Sequence, residues 1–235
     1  MNIELLGPVH SARAYGARPA NVLTPPPRRA LTTRDAAWAI ACARLLTRLG
    51  VQPNAVSLCS VLFATLAAVA FATSPVVGPG ARAALLVAAA TCVQLRLLCN
   101  MLDGMLAVEH GLKTPTGDLF NDLPDRIADV VVLVGAGYGA GPYGALLGWS
   151  AAVTALLTAY VRVLGGSLGV TQRFIGPMAK QHRMFTLTVA ALLAAVGSLA
   201  GMPMDALSWA LAAIVLGSIV TAARRTHRIA QELTR

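Results

Sequence analysis

Four oxygen-bearing side chains form two pairs near the middle of the chain. Asn100 and Asp103 are three residues apart, and Asn121 and Asp125 are four residues apart. Residues at either spacing share one face of a helix, so each pair would point in one direction. Two antiparallel neighbouring helices would bring the pairs together. Hard oxygen ligands without cysteine suit Mg²⁺, Mn²⁺ or Ca²⁺, and such sites commonly serve phosphate chemistry.

The scarce acidic residues are concentrated around these pairs. Six of the ten Asp and Glu residues lie between positions 103 and 129. A solvated loop between two helices would explain Glu109 and Asp118. It does not explain Asp125 and Asp129, which lead into an apolar run, because carboxylates at the ends of membrane helices are costly and usually functional. We therefore interpret the stretch as a functional cluster.

The composition indicates which elements position this cluster. The chain has 235 residues, of which 56% are hydrophobic and 12% charged, with a mean hydropathy of +0.66. A soluble domain usually carries about twice that charged fraction. These values exclude a disordered chain, a disulfide scaffold and most soluble enzymes. They predict an all-α, polytopic integral membrane protein.

Six apolar stretches have about the length that a helix needs to cross a bilayer. We place them near residues 55–73, 83–102, 127–141, 144–163, 185–202 and 205–223. The third is short and contains Asp129, so its helix should begin earlier, near residue 120. The preceding segment has apolar residues at helical spacing interrupted by charges, which is typical of an amphipathic helix in the membrane surface. The predicted divisions are a flexible cytoplasmic tail (1–30), this interfacial helix (31–49), a six-helix membrane domain (50–223) and a basic cytoplasmic tail (224–235).

The basic residues predict the orientation of these helices. The chain has 19 Lys and Arg residues against 10 Asp and Glu, a net charge of +9. If the N-terminus is cytoplasmic, 18 of the 19 fall on the cytoplasmic side, and only Arg82 lies opposite. The positive-inside rule therefore predicts that both termini and the acidic cluster face the cytoplasm, in a bacterial-type inner membrane. A nucleic-acid partner would require a compact basic domain, and the sequence contains none.

The spacing of the two pairs resembles a known motif. The run from Asn100 to Asp125 reads N-x2-D-G-x2-A-V-x8-G-x3-N-x3-D. It is similar to the pattern D-x2-D-G-x2-A-R-x8-G-x3-D-x3-D of the CDP-alcohol phosphotransferase family, with every gap length the same. The positions identical to the pattern are Asp103, Gly104, Ala107, Gly117 and Asp125. Asn100 and Asn121 replace two aspartates, and Val108 replaces the arginine.

The resemblance implies a membrane enzyme with six spanning helices and a surface helix. Its reaction would transfer a phosphatidyl or other substituted phosphoryl group from a CDP-linked donor, such as CDP-diacylglycerol, to an alcohol, releasing CMP in phospholipid biosynthesis. The cofactor would be two Mg²⁺ or Mn²⁺ ions, and the residues implied to hold them are Asn100, Asp103, Asn121 and Asp125. Asp125 would also remove the alcohol proton. The residues implied to line the nucleotide pocket are Asn54, Gly104, Ala107 and Gly117.

Three basic residues on the predicted cytoplasmic side have two interpretations. Arg162, Lys180 and Arg183 could bind an anionic acceptor or the phosphates of the donor. They could equally reflect topology and contacts with lipid headgroups. The overlapping GxxxG spacing of residues 135–141 favours close helix packing, as at a homodimer interface.

Other functions are compatible with the same residues. The two asparagines remove two negative charges from the site, which should weaken metal affinity, so a catalytically altered or silent scaffold of the same fold is one alternative. An ion-coupled transporter is another. A transporter would place polar or broken segments in the middle of the membrane, whereas these acids cluster at one edge.

Overall fold

The computed structural model describes residues 36–109, 116–170, 176–202 and 204–234, without the side chains of residues 108, 109 and 118. In these ranges the regular structure is helical throughout, which confirms the all-α prediction. The helices are α1 (Ala37–Arg48), α2 (Pro53–Thr73), α3 (Pro79–Glu109), α4 (Gly117–Tyr138), α5 (Gly144–Ser167), α6 (Lys180–Leu199) and α7 (Ala206–Leu233). The predicted tail, residues 1–30, lies outside the described residues.

Each of the six predicted apolar stretches corresponds to one of the helices α2 to α7. Within the described ranges, five of these helices, all except α4, are long and apolar enough to cross a membrane. The first half of α4 is charged, with Asp122, Asp125, Arg126 and Asp129 within two turns. The helix begins at Gly117, before residue 120, as its short apolar run predicted. A sixth span at α4 remains a prediction.

Glycine and proline residues separate the helices where the sequence breaks its apolar runs. Gly50 follows α1 with a φ of +70°, a conformation that other residues rarely adopt. Pro53 is in the first turn of α2, where its missing N–H costs no helical hydrogen bond. Gly201 follows α6 with a φ of +66°. These breaks reverse the chain between successive helices.

Glycines of α4 allow the closest helix approaches in the bundle. A Cβ at Gly137 would lie 2.6 Å from the carbonyl oxygen of Gly144 at the start of α5, and one at Gly135 would overlap Ala68 of α2. The residues of the GxxxG pattern therefore face other helices of the same chain, which places α4 between α2 and α5. Close packing is confirmed, but these contacts are not those of a dimer interface.

The helix α1 packs on the end of α3 that carries the motif. Ala39 and Ala43 are buried in one apolar cluster with Met105 and Leu106 of α3. Trp38 and Leu45, on another face of α1, and Leu49, directly after the helix, are exposed. This exposed apolar face is compatible with a helix lying in the membrane surface. That location remains a prediction, and residues 31–35 of the predicted interfacial helix lie outside the described ranges.

Candidate active site

Polar side chains from several helices meet at one end of the bundle. Because successive helices alternate in direction, the first residues of α2, α4 and α6 lie beside the last residues of α3, α5 and α7. Ser57 of α2 donates a hydrogen bond of 2.7 Å to Asp103 of α3. Lys180 of α6 donates one of 2.6 Å to Asp125 of α4. The residues of the sequence motif therefore belong to a site that is built from separate helices.

Asp125 is the most heavily bonded residue of this site. Its Oδ1 accepts hydrogen bonds from Arg96 Nη2 at 2.6 Å, Lys180 Nζ at 2.6 Å and Asn100 Nδ2 at 2.8 Å. The side chain is buried, with 9% of its surface exposed. Its Oδ2 has a longer contact, 3.4 Å, with Arg126 Nη2. The structure thus joins the two predicted pairs through Asn100 and Asp125, and it adds two cationic donors to them.

Asp103 has a different environment, although it is only one turn from Asn100. Its Oδ2 accepts the hydrogen bond from Ser57, whereas its Oδ1 is buried and has no hydrogen-bond partner among the described residues. A buried carboxylate oxygen without a partner is costly, and most such groups are satisfied by a donor, a water molecule or an ion. Asp103 Oδ1 therefore marks a place for a cation or donor at this end of the bundle.

The other predicted motif residues lie at the same end of the bundle and are less buried than Asp103 and Asp125. Asn121, one turn before Asp125 on α4, is exposed, so the structure does not bring it into the buried centre. The proposed nucleotide-binding residues, which are half-buried, are Asn54, Gly104, Ala107 and Gly117. They lie at the start of α2, the end of α3 and the start of α4. Their assignment to a nucleotide remains a prediction.

A second buried ion-pair centre lies one turn further into the bundle, at Asp129. Its Oδ1 is 2.7 Å from Arg96 Nη2, and its Oδ2 accepts a hydrogen bond of 3.0 Å from Arg183 Nη2. Arg183 also donates to Thr158 Oγ1 of α5 at 3.2 Å. Arg96 is fully buried and Arg183 is 2% exposed. This centre links α3, α4, α5 and α6 through charged groups.

The three basic residues noted in the sequence each pair with a different acidic residue of α4. Arg162 Nη2 donates to Asp122 Oδ1 at 3.0 Å, Lys180 binds Asp125, and Arg183 binds Asp129. These pairs bring all three basic residues to the acidic residues of α4, and the binding of an anionic ligand by them remains a prediction. Arg162 and Lys180 keep about a quarter of their side-chain surface exposed, at 25% and 26%, and so could also reach a ligand.

Sequence reasoning missed two residues of the site. Arg96 lies inside the predicted span 83–102, and a charged residue within an apolar span was the signal that could have identified it. Ser57 gave no such signal, because serine is common in membrane helices and its Oγ also approaches the carbonyl oxygen of Pro53, at 3.3 Å, in its own helix.

The donor set of this site fits a hard divalent cation. Asp103 and Asp125 supply carboxylates, and Asn100 supplies an amide next to them, which are ligands typical of Mg²⁺ and Mn²⁺. The unpartnered Asp103 Oδ1 is the observation that most directly supports a bound cation. Among the described residues, no three His, Cys, Asp or Glu side chains form a metal-binding group. The candidate ligands are therefore two carboxylates and an amide, and their assignment to a metal ion remains a prediction.

This architecture is that of a helical membrane protein with a charged site at one end of its bundle. Solved structures of phosphatidylinositol phosphate synthase (PgsA1) from Mycobacterium tuberculosis share it. The structure with CDP-DAG bound has a TM-score of 0.67 and 22% identity, and the alignment covers 83% of this chain and 94% of that one. The complex with manganese and citrate has a TM-score of 0.66 and 22% identity, with coverage of 81% and 88%.

The apo form of the same synthase has a TM-score of 0.63 and 23% identity, with coverage of 80% of this chain and 93% of that one. At these identities the likeness shows a shared fold. No family model and no curated protein matches the sequence.

Proposed function

We propose that the chain is a CDP-alcohol phosphotransferase, which transfers a phosphatidyl or related group from a CDP-linked donor to an alcohol and releases CMP in phospholipid biosynthesis. The observation that carries this proposal is the meeting of Asn100, Asp103 and Asp125 at one end of the bundle. These residues belong to the motif that resembles this family. A protein of the same fold has been crystallised with CDP-DAG, which supports a CDP-linked donor.

The residues of the site suggest a division of roles. Asp103, Asn100 and Asp125 would hold the divalent cation, Mg²⁺ or Mn²⁺, which neutralises charge on the reacting phosphates. Asp125 would accept the proton of the alcohol at Oδ2, since its Oδ1 already accepts three hydrogen bonds. Asn121 would approach from the exposed side of α4. The nucleotide would lie along the small residues of α3 and α4.

The basic residues of the site favour an anionic acceptor. Arg162 and Lys180 are partly exposed and are held by carboxylates of α4, so they present fixed cationic donors. Charge-assisted hydrogen bonds to phosphate are among the stronger polar interactions available to a protein. A phosphorylated alcohol is therefore the acceptor class that this end of the bundle suits best.

We infer that this end of the bundle faces the cytoplasm, with both termini on the same side and the helices in contact with membrane lipids. The end with the site carries Lys180, Arg162 and the basic end of α7, whereas Arg82 lies near the opposite end. The positive-inside rule supports this orientation in a bacterial-type inner membrane. A homodimer would require a surface other than the α4 glycines.

One observation favours a second candidate, a catalytically silent scaffold of the same fold. Two cations and an amide already occupy Asp125 Oδ1, so this oxygen has little capacity left for a metal ion or a proton. An ion-coupled transporter is less well supported, because the charged groups lie together at one end of the helices.

The test is release of CMP from CDP-diacylglycerol by the purified full-length chain, with Mg²⁺ or Mn²⁺ and a panel of alcohols that includes phosphorylated ones. We expect metal-dependent release that Asp103→Ala and Asp125→Asn abolish. The matched control is Asp205→Asn, because Asp205 lies at the opposite end of the bundle, where it accepts a hydrogen bond from the Gly141 N–H. No release with any acceptor would favour the scaffold, and release unaffected by both site variants would contradict the assignment.

A further inference from the structure

The proposed function leaves one buried charge in the site without a role. Arg96 is on α3, one turn before Asn100, and is fully buried. A single nitrogen, Nη2, lies 2.6 Å from Asp125 Oδ1 and 2.7 Å from Asp129 Oδ1, so it bridges two carboxylates of α4. In phosphate-processing sites, positive charge near the reacting oxygens is commonly supplied by divalent metal ions.

Cationic side chains already neutralise the carboxylates of the buried centre without any metal ion. Its carboxylates are Asp103, Asp125 and Asp129. Its cations are Arg96, Lys180 and Arg183, and Arg126 also contacts Asp125 and Asp129. Two divalent ions would add four positive charges to a set that has no net negative charge, close to a guanidinium that cannot lose its proton. A single ion adds two, which the phosphates of a donor can offset.

The hydrogen bonds of the carboxylate oxygens also indicate a single metal ion. Three donors fill Asp125 Oδ1, and one of them is Arg96. Asp103 Oδ1 is buried without a hydrogen-bond partner among the described residues, and it lies on the same helix as Arg96, two turns further on. Asp125 Oδ1 is therefore occupied by side-chain donors, whereas Asp103 Oδ1 is available to a metal ion.

We propose that Arg96 takes the electrostatic place of one metal ion, so that the site binds one divalent cation rather than the two that the motif resemblance implies. This proposal rests on the proposed function, because it assumes a metal-dependent site. It agrees with asparagine at positions 100 and 121, because two fewer negative charges leave less charge for a second divalent ion to neutralise.

The experiment is titration of the purified full-length chain in detergent with Mn²⁺, in which electron paramagnetic resonance measures the free ion. The wild-type chain should bind one Mn²⁺ per chain. Asn100→Asp combined with Asn121→Asp should still bind one, because Arg96 keeps its place. Adding Arg96→Leu to those two changes should raise the number to two.

Several results would overturn the proposal. These are two ions or none in the wild-type chain, or two ions in the Asn100→Asp, Asn121→Asp variant that retains Arg96. The wild-type chain and that double variant keep the buried ion pairs of Arg96, so they test the proposal even if the triple variant does not fold. CMP release by the same samples separates the two claims. One bound ion without release refutes the proposed function alone, whereas release with two bound ions refutes the single-ion site alone.

Discussion

Asp129 is an acidic residue that is not a proposed metal ligand. Among such residues, it is the one whose replacement should lower the free energy of unfolding most. Asp129 is 2% exposed and pairs with two buried guanidinium groups, of Arg96 at 2.7 Å and Arg183 at 3.0 Å. Breaking a buried ion pair by removing one partner typically costs about 3–5 kcal/mol, because the other charge is left buried without compensation. Arg96 keeps its bond to Asp125, so Arg183 is the group left uncompensated. We therefore expect Asp129→Ala to lower the free energy of unfolding by about 3–5 kcal/mol.

A double variant identifies the origin of this loss. Replacement of both partners of a buried pair by apolar residues is often close to neutral, since no charge remains buried alone. The combination of Asp129→Leu with Arg183→Met should therefore recover most of the stability that Asp129→Ala loses. The control is Glu232→Ala, which breaks the exposed pair with Arg228 Nε at 3.5 Å and should cost at most about 1 kcal/mol.

The measurement is equilibrium unfolding in mixed micelles with increasing sodium dodecyl sulfate, followed by far-ultraviolet circular dichroism. The reasoning fails if Asp129→Ala loses no more stability than Glu232→Ala. It also fails if the double variant is less stable than Asp129→Ala, because the uncompensated guanidinium would then not be the cause.

Three further predictions concern the site and its packing. Ser57→Ala should weaken Mn²⁺ binding several-fold, because it removes a hydrogen bond that orients the Asp103 carboxylate, and Ser57→Thr should not; equal affinities in a Mn²⁺ titration would contradict this. Gly137→Ala should destabilise the chain by about 1–3 kcal/mol in the unfolding assay, because its Cβ would overlap α5. The control Gly78→Ala places its Cβ in open space and should leave the stability unchanged, so equal effects of the two variants would refute the packing argument. Arg162→Ala should raise the KM for a phosphorylated acceptor about tenfold, equivalent to about 1.4 kcal/mol, and an unchanged KM would remove this residue from the acceptor site.

The sequence predicted the helices well because apolar runs interrupted by Gly and Pro are local signals. It also predicted the early start of α4, because Asp129 inside a short apolar run required a longer helix. The convergence of Asn100 and Asp125 followed from helix periodicity and from the antiparallel order of neighbouring helices. These inferences needed only the geometry of single helices and short connections.

The partners of the charged residues could not be predicted in this way. Arg96 inside an apolar span needed a buried acid, but whether that acid was Asp125, Asp129 or both depended on how α3 and α4 pack. The pairing of Lys180 and Arg183 with successive acids of α4 likewise depends on long-range packing. The GxxxG pattern predicted close packing but not which helix packs there, since small residues permit approach by a helix of the same chain or of another chain.

The charged face of α4 has a consequence for the order in which the chain enters the membrane. Placing Asp or Arg in the middle of a membrane helix costs about 2.5–3.5 kcal/mol per residue on the scale of the insertion machinery, and α4 carries several such residues in its first half. Among the described residues, Arg96 is the one cationic partner that precedes α4, whereas Arg162, Lys180 and Arg183 follow it in α5 and α6. We therefore expect α4 to enter the bilayer fully only after α6 has been synthesised, as one cooperative unit with the helices that neutralise it.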